Sequence, residues 1–75
     1  MLDADHQLNC FNKVNRLRSE ARRQALDQQS VRSRLEQLMK EFGQAALSVA
    51  QGFLKRDDGS VSESFRNAVR ILSRD

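Results

Sequence analysis

The sequence predicts an all-α protein, and three observations carry that prediction. Apolar residues recur from Val14 through Leu17, Ala21, Ala25, Val31, Leu35, Leu38, Phe42, Ala45 and Val49 to Phe53, at steps of three, four or six. Such a period gives helices one apolar and one wet face. Leu, Ala, Gln, Glu, Arg and Lys dominate the composition while Pro, Trp and Tyr are absent, and those six residues lose least on entering a helix. No run of alternating β-branched residues marks a strand.

Helical structure is expected over 4–55. Asp3 or Asp5 caps the start, since a carboxylate there accepts from exposed backbone N–H groups and suits the positive end of the helix dipole. Leu8, Phe11 or Cys10, Val14, Leu17, Ala21 and Ala25 mark the buried face of this first stretch. Two readings of residues 27–33 compete. In one, they form a connection, Ser33 and Glu36 make a capping box, and a second helix starts there to give an antiparallel hairpin. In the other, a helix about 50 residues long runs straight through. The heptad positions 14, 21, 28, 35, 42, 49 and 17, 24, 31, 38, 45, 52 favour the second, with Gln24, Gln28 and Gly52 as weak members of the seam. Gly43 either ends a helix or weakens one by about 1 kcal/mol relative to Ala. The small residues from Ala45 to Ala50, followed by Gly52, mark the place for the closest helix–helix approach.

Residues 56–60 read as a loop, Arg56-Asp57-Asp58-Gly59-Ser60. Ser60 and Glu63 have capping-box spacing and start a last helix over 61–73. Its apolar face carries Val61, Phe65, Ala68, Val69 and Leu72, and it is too short to stand alone, so it is expected to fold back on the Ala45–Leu54 region or dock on a partner. Internal repeats and low-complexity tracts are absent.

Seventy-five residues make one domain at most. A domain of this size buries only about 60–65% of the surface its unfolded chain exposes. A stripe this long on so short a chain therefore calls for cover, from the chain itself, a second copy or another protein. The expected assembly is a coiled-coil-like homodimer whose core is built from Val14, Leu17, Ala21, Val31, Leu35, Leu38, Phe42, Ala45, Val49, Phe53, Phe65, Val69 and Leu72. Cys10 is the single cysteine, which rules out an internal disulfide and suggests a reducing compartment. With no basic, apolar leader and no membrane-length run, a soluble cytoplasmic chain is expected.

The net charge of +3 is unevenly spread. Residues 13–34 hold Lys13, Arg16, Arg18, Arg22, Arg23, Arg32 and Arg34 against Glu20 and Asp27, a local balance of +5. Residues 35–75 balance to zero and residues 1–12 carry −2. An arginine-rich segment suits an acidic protein surface or phosphates, while arginine stems also simply cover apolar seams. Interleaved exposed aromatics, which a single-strand binder wants, are missing from this segment. A helix-turn-helix over Gln44–Leu72 fits poorly, because Phe53-Leu54-Lys55-Arg56 continues the helical pattern past Gly52 and the last helix opens on Glu63.

Catalytic chemistry is thin. His6 and Cys10 share a helix face at i,i+4, yet no second His or Cys completes a zinc site. One His, one Cys and scattered carboxylates assemble no nucleophile–base–orienter set, and the glycines form no phosphate cradle. Glu36–Lys40 and Glu20–Arg23 read as helix-supporting pairs. The expectation is a non-enzymatic interaction module without cofactor, metal, membrane or small-molecule substrate. It would be a dimeric adaptor, chaperone or inhibitor that occludes a protein partner through the stripe and the basic residues 13–34. The alternative is a nucleic-acid-binding regulator that contacts phosphates through the same basic residues. A third reading is a coiled-coil segment that only oligomerises.

Overall fold

A computed structural model describes residues 4–56, 59 and 61–74. The described residues form four helices and no strand: α1 (Ala4–Arg23), α2 (Gln28–Phe42), α3 (Gln44–Lys55) and α4 (Glu63–Ser73). Asp5 sits in the first turn of α1, and Arg22 and Arg23 in its last, each on the end of the dipole that favours its charge.

The favoured long helix is replaced by two sharp turns. A helix of about 50 residues would be about 75 Å long, whereas the molecule's greatest extent is 36 Å and its radius of gyration 11.5 Å. That radius is what a globular chain of this length adopts, about 11 Å. The first turn falls at 24–27, earlier than the expected 27–33. Gln24 N–H donates to the Glu20 carbonyl at 2.8 Å and Leu26 N–H to the Ala21 carbonyl at 3.1 Å. The second of these bonds closes the end of α1 around Ala25, whose φ of 51° is left-handed. This is a helix stop of the kind that glycine usually provides. Leu26, the residue after it, folds back onto the core.

Asp27 then starts α2 with extended backbone, its Oδ1 accepting from the Ser30 N–H at 2.8 Å. Ser33 and Glu36, expected to form the capping box, instead lie exposed on the outer side of α2. Two turns of the stripe thus belong to different helices, and Ala25, which continues its spacing, is exposed.

Gly43 makes the second turn. Its φ of 70° and ψ of −147° lie where side-chain-bearing residues are strained. Its N–H closes α2 on the Met39 carbonyl at 2.7 Å, and its carbonyl opens α3 by accepting from Ala46 N–H at 3.3 Å. The turn also shifts the phase of the apolar face by about one residue, or 100°. Ala45, expected in the core, is exposed in consequence, while Ala46, Leu47 and Ala50 are buried. Gly52 has no heavy atom within 4 Å of where a Cβ would stand, so the expected close approach does not fall at this glycine, and Ala46 and Ala50 are the small residues of α3 that are buried.

The last helix starts two residues later than the expected 61. Its cap is Ser62, whose Oγ accepts from Phe65 N–H at 3.3 Å; Asp57, Asp58 and Ser60 of the expected loop and cap lie outside the described residues. α4 folds back on the chain but packs chiefly on α2, with the expected Ala45–Leu54 region, in α3, only alongside. Its Phe65, Ala68 and Val69 join Cys10, Val14, Leu17 and Ala21 of α1, Val31 and Leu35 of α2, and the buried residues of α3 in one core. Leu38, Phe42, Val49, Phe53 and Leu72 pack at its margin, half-buried. Phe65, fully buried, is the largest side chain there, and burying a phenylalanine contributes about 1.5–3 kcal/mol. The stripe that called for external cover is covered by the chain's own helices.

The two turns respond oppositely to substitution. Ala25→Gly is expected to stabilise the fold by about 1 kcal/mol, since only the left-handed penalty is removed. Gly43→Ala is expected to destabilise it by about 1–3 kcal/mol, because the backbone is strained although the space is open. Thermal melts of the two variants check this; opposite signs to those expected would mean that these residues do not make the turns.

Asp27 adds a pH dependence. The Ser30 backbone N–H, and then the Ser30 side chain, hold its carboxyl below the ordinary carboxylate range. A lowered carboxyl stabilises the fold above its unfolded value and loses that contribution as pH falls through the folded one. Asp27→Ala is therefore expected to lower the melting temperature at neutral pH, with the gap to wild type closing below about pH 4. A gap of constant size across that range would contradict the cap.

Candidate cationic groove between α1 and α2

The antiparallel turn at 24–27 lays the basic residues of α1 beside those of α2. Lys13, Arg16 and Arg34 border one groove of about 290 Å³, whose floor is Leu17 and Leu38. Leu17 is buried and Leu38 half-buried. Glu20 is the one carboxylate on the groove's lining. It accepts from Arg34 Nη1 at 3.0 Å and lies 4.0 Å from Arg16 Nε. One carboxylate thus hydrogen-bonds the Arg34 guanidinium and faces Arg16 at a looser distance, and both arginines stay in reach of solvent, with Arg16 80% and Arg34 51% exposed. Pairs this exposed contribute little to stability, about 0–1 kcal/mol; the hydrogen-bonded one orients Arg34.

The other basic residues divide. Lys13 Nζ reaches Glu41 at 3.2 Å and stands 5.7 Å from the Phe42 ring. Arg18 leaves the groove altogether: its Nη2 donates to Asn15 Oδ1 at 2.6 Å and its guanidinium lies 4.8 Å over the Phe53 ring. Arg22, Arg23 and Arg32 are exposed around the α1–α2 turn and form no ion pair among the described residues. The expected Glu20–Arg23 and Glu36–Lys40 pairs do not form, since Glu20 turns to Arg34 and Arg16.

The aromatic residues do not form an open stacking platform. Phe11 and Phe53 meet at 5.4 Å with planes tilted by 51°, and Arg18 covers Phe53. His6 packs against Phe42 at 5.1 Å, well placed for contact with that ring and not for shared ligation with Cys10, which is buried. Burial, with the charge of Glu41 behind it, pushes the Cys10 thiol up, away from the thiolate that metal binding or nucleophilic attack needs. Among the described residues no three His, Cys, Asp or Glu stand together as a metal site, and no helix is long and apolar enough to cross a membrane.

A larger depression of about 830 Å³ lies along α2, α3 and the end of α4. Gln37, Gln44, Gln51 and Ser73 supply much of its lining, and its Glu36 and Lys40 balance in charge. Size alone gives it no chemistry, so the smaller cationic groove is the better candidate. Of the seven expected basic residues the groove takes Lys13, Arg16 and Arg34, and Gln37 and Glu20 on its lining become legible only when α2 is known to start at Gln28, which sets its face toward α1. The helices α3 and α4 are joined by residues 56–62, longer than the three- or four-residue turn of a helix-turn-helix. Compared with family models, curated proteins and solved structures, the chain has no match.

Proposed function

We propose that this chain is a small non-enzymatic interaction module that binds an acidic protein surface through the basic residues of α1 and α2. The observation that carries the reading is the convergence of Arg16 and Arg34 on one apolar-floored groove, held by a single shared carboxylate. Arg22, Arg23 and Arg32 extend the positive surface around the adjoining turn. A partner docking here would have part of its own surface occluded, which is how an adaptor, chaperone or inhibitor of this size acts.

The binding unit in this proposal is the monomer. The expected homodimer was argued from uncovered stripe; within one chain α2, α3 and α4 cover much of it, so pairing of two copies is a separate proposal that would use the apolar surface left exposed. Among the described residues Leu8 and Phe11 are the large apolar side chains left exposed, neighbours on one face of α1 by their i,i+3 spacing.

The nucleic-acid reading draws on one observation of its own, that Arg22, Arg23 and Arg32 carry no ion pair among the described residues. It expects affinity that falls steeply with salt, by a slope of about 0.9 per phosphate contacted on duplex DNA. Purification of the tagged chain from its native lysate, with and without nuclease, separates the two. The expected result is a stoichiometric protein that survives nuclease and is lost from the triple variant Arg16→Glu, Arg22→Glu, Arg23→Glu. Co-eluting proteins that vanish on digestion, with nucleic acid in the untreated eluate, would overturn it.

A further inference from the structure

The groove between α1 and α2 combines two features that the wider basic surface lacks together. Its floor is aliphatic, from Leu17 and Leu38, and its rim carries Lys13, Arg16 and Arg34 against Glu20. A free anion needs no aliphatic floor, and none of the rim cations is withdrawn from solvent to make a built anion site. A nucleic-acid strand would want flat aromatic faces for its bases, and the floor offers branched aliphatic ones. A protein segment can supply both halves of the complement at once, an apolar side chain for the floor and carboxylates for the rim.

We infer that the groove between α1 and α2 is the docking site of an acidic amphipathic helix, which seats one apolar side chain over Leu38 and sets carboxylates against Lys13, Arg16 and Arg34. The inference rests on the acidic-partner reading above and narrows it to one place and one kind of segment. Laying an amphipathic helix into an apolar groove is a recurrent mode of peptide recognition, and the open shape of this groove suits a segment passing along it. Arg34 is already oriented by Glu20 at 3.0 Å, so its guanidinium loses less freedom on binding than a free side chain would. Gln37, on the same lining, offers an amide to the segment's polar edge. Arg22, Arg23 and Arg32, away from the aliphatic floor, contribute attraction and encounter rate rather than the seat itself.

The test uses the isotope-labelled full chain and two synthetic peptides in low salt. The first is an acidic helical peptide of about 15 residues with Leu along one face and Glu elsewhere. The second is identical except that every Leu is replaced by Gln. Binding of the first peptide is expected to shift the backbone amide signals of Leu17, Arg34, Gln37 and Leu38. Arg16→Glu and Leu38→Gln are each expected to weaken it by about tenfold or more, as for central contacts of an interface. Arg16 is exposed, so its variant keeps the fold even if the Leu38 variant does not, and circular dichroism checks both. Arg22→Glu is expected to weaken binding only by the few-fold of a peripheral charge. Equal binding of the two peptides, or shifts centred on Arg22, Arg23 and Arg32, would overturn the groove as the seat while leaving an acidic partner in place. Failure of both acidic peptides to bind would remove the groove and the acidic-partner reading together.

Discussion

Everything in this molecule depends on one constraint: the apolar stripe must be broken before it can be buried. Run as a continuous helix, it would face one direction along a rod of about 75 Å and find no cover within its own chain. Left-handed Ala25 and the Asp27 cap turn the chain once, and Gly43 turns it again. Of these, Ala25 alone carries backbone strain, since glycine takes a positive φ freely. The turns allow four helices to share a core with Phe65, Leu35, Val14 and Val31 among its least exposed positions.

The same turn that closes the core builds the candidate site. Glu20 lies one helical turn before the end of α1, and Arg34 lies seven residues past the Asp27 cap. Antiparallel packing brings the two within 3.0 Å across the groove, and Arg16 comes with Glu20 by its i,i+4 spacing. Stability and the cationic surface are thus set by one hairpin. Strengthening or weakening the turn at 24–27 changes how the arginines are presented, whatever they bind.

Much of the fold was legible because helical period and composition are local signals. The all-α class and the buried Val14, Leu17 and Ala21 follow from spacing, and the fold-back of α4 from its shortness, though not its seat on α2. The breaks were not legible for particular reasons. Ala25 preserves the i,i+4 spacing of the stripe while its backbone leaves the helix, and alanine, the strongest helix former, gives no signal of a left-handed stop. Ser33-Arg34-Leu35-Glu36 matches the capping box better than Asp27-Gln28-Gln29-Ser30 does, yet tertiary packing of Val31 and Leu35 requires the earlier start. Gly43 was visible as a candidate break, but not the change of phase that exposes Ala45. The basic cluster was visible as charge; which arginines share a groove depends on the hairpin register, which no single position encodes.

The central claim is that one chain covers its own stripe. Small-angle scattering on a dilute, size-separated sample, with the mass measured on the same peak, tests it most directly. The account expects an 8.6 kDa particle with a radius of gyration close to the 11.5 Å of its Cα positions, raised slightly by side chains and hydration. A particle of twice that mass, with a longest dimension near 75 Å as for paired helices of about 50 residues, would contradict it. The stripe would then belong to an interface between two copies.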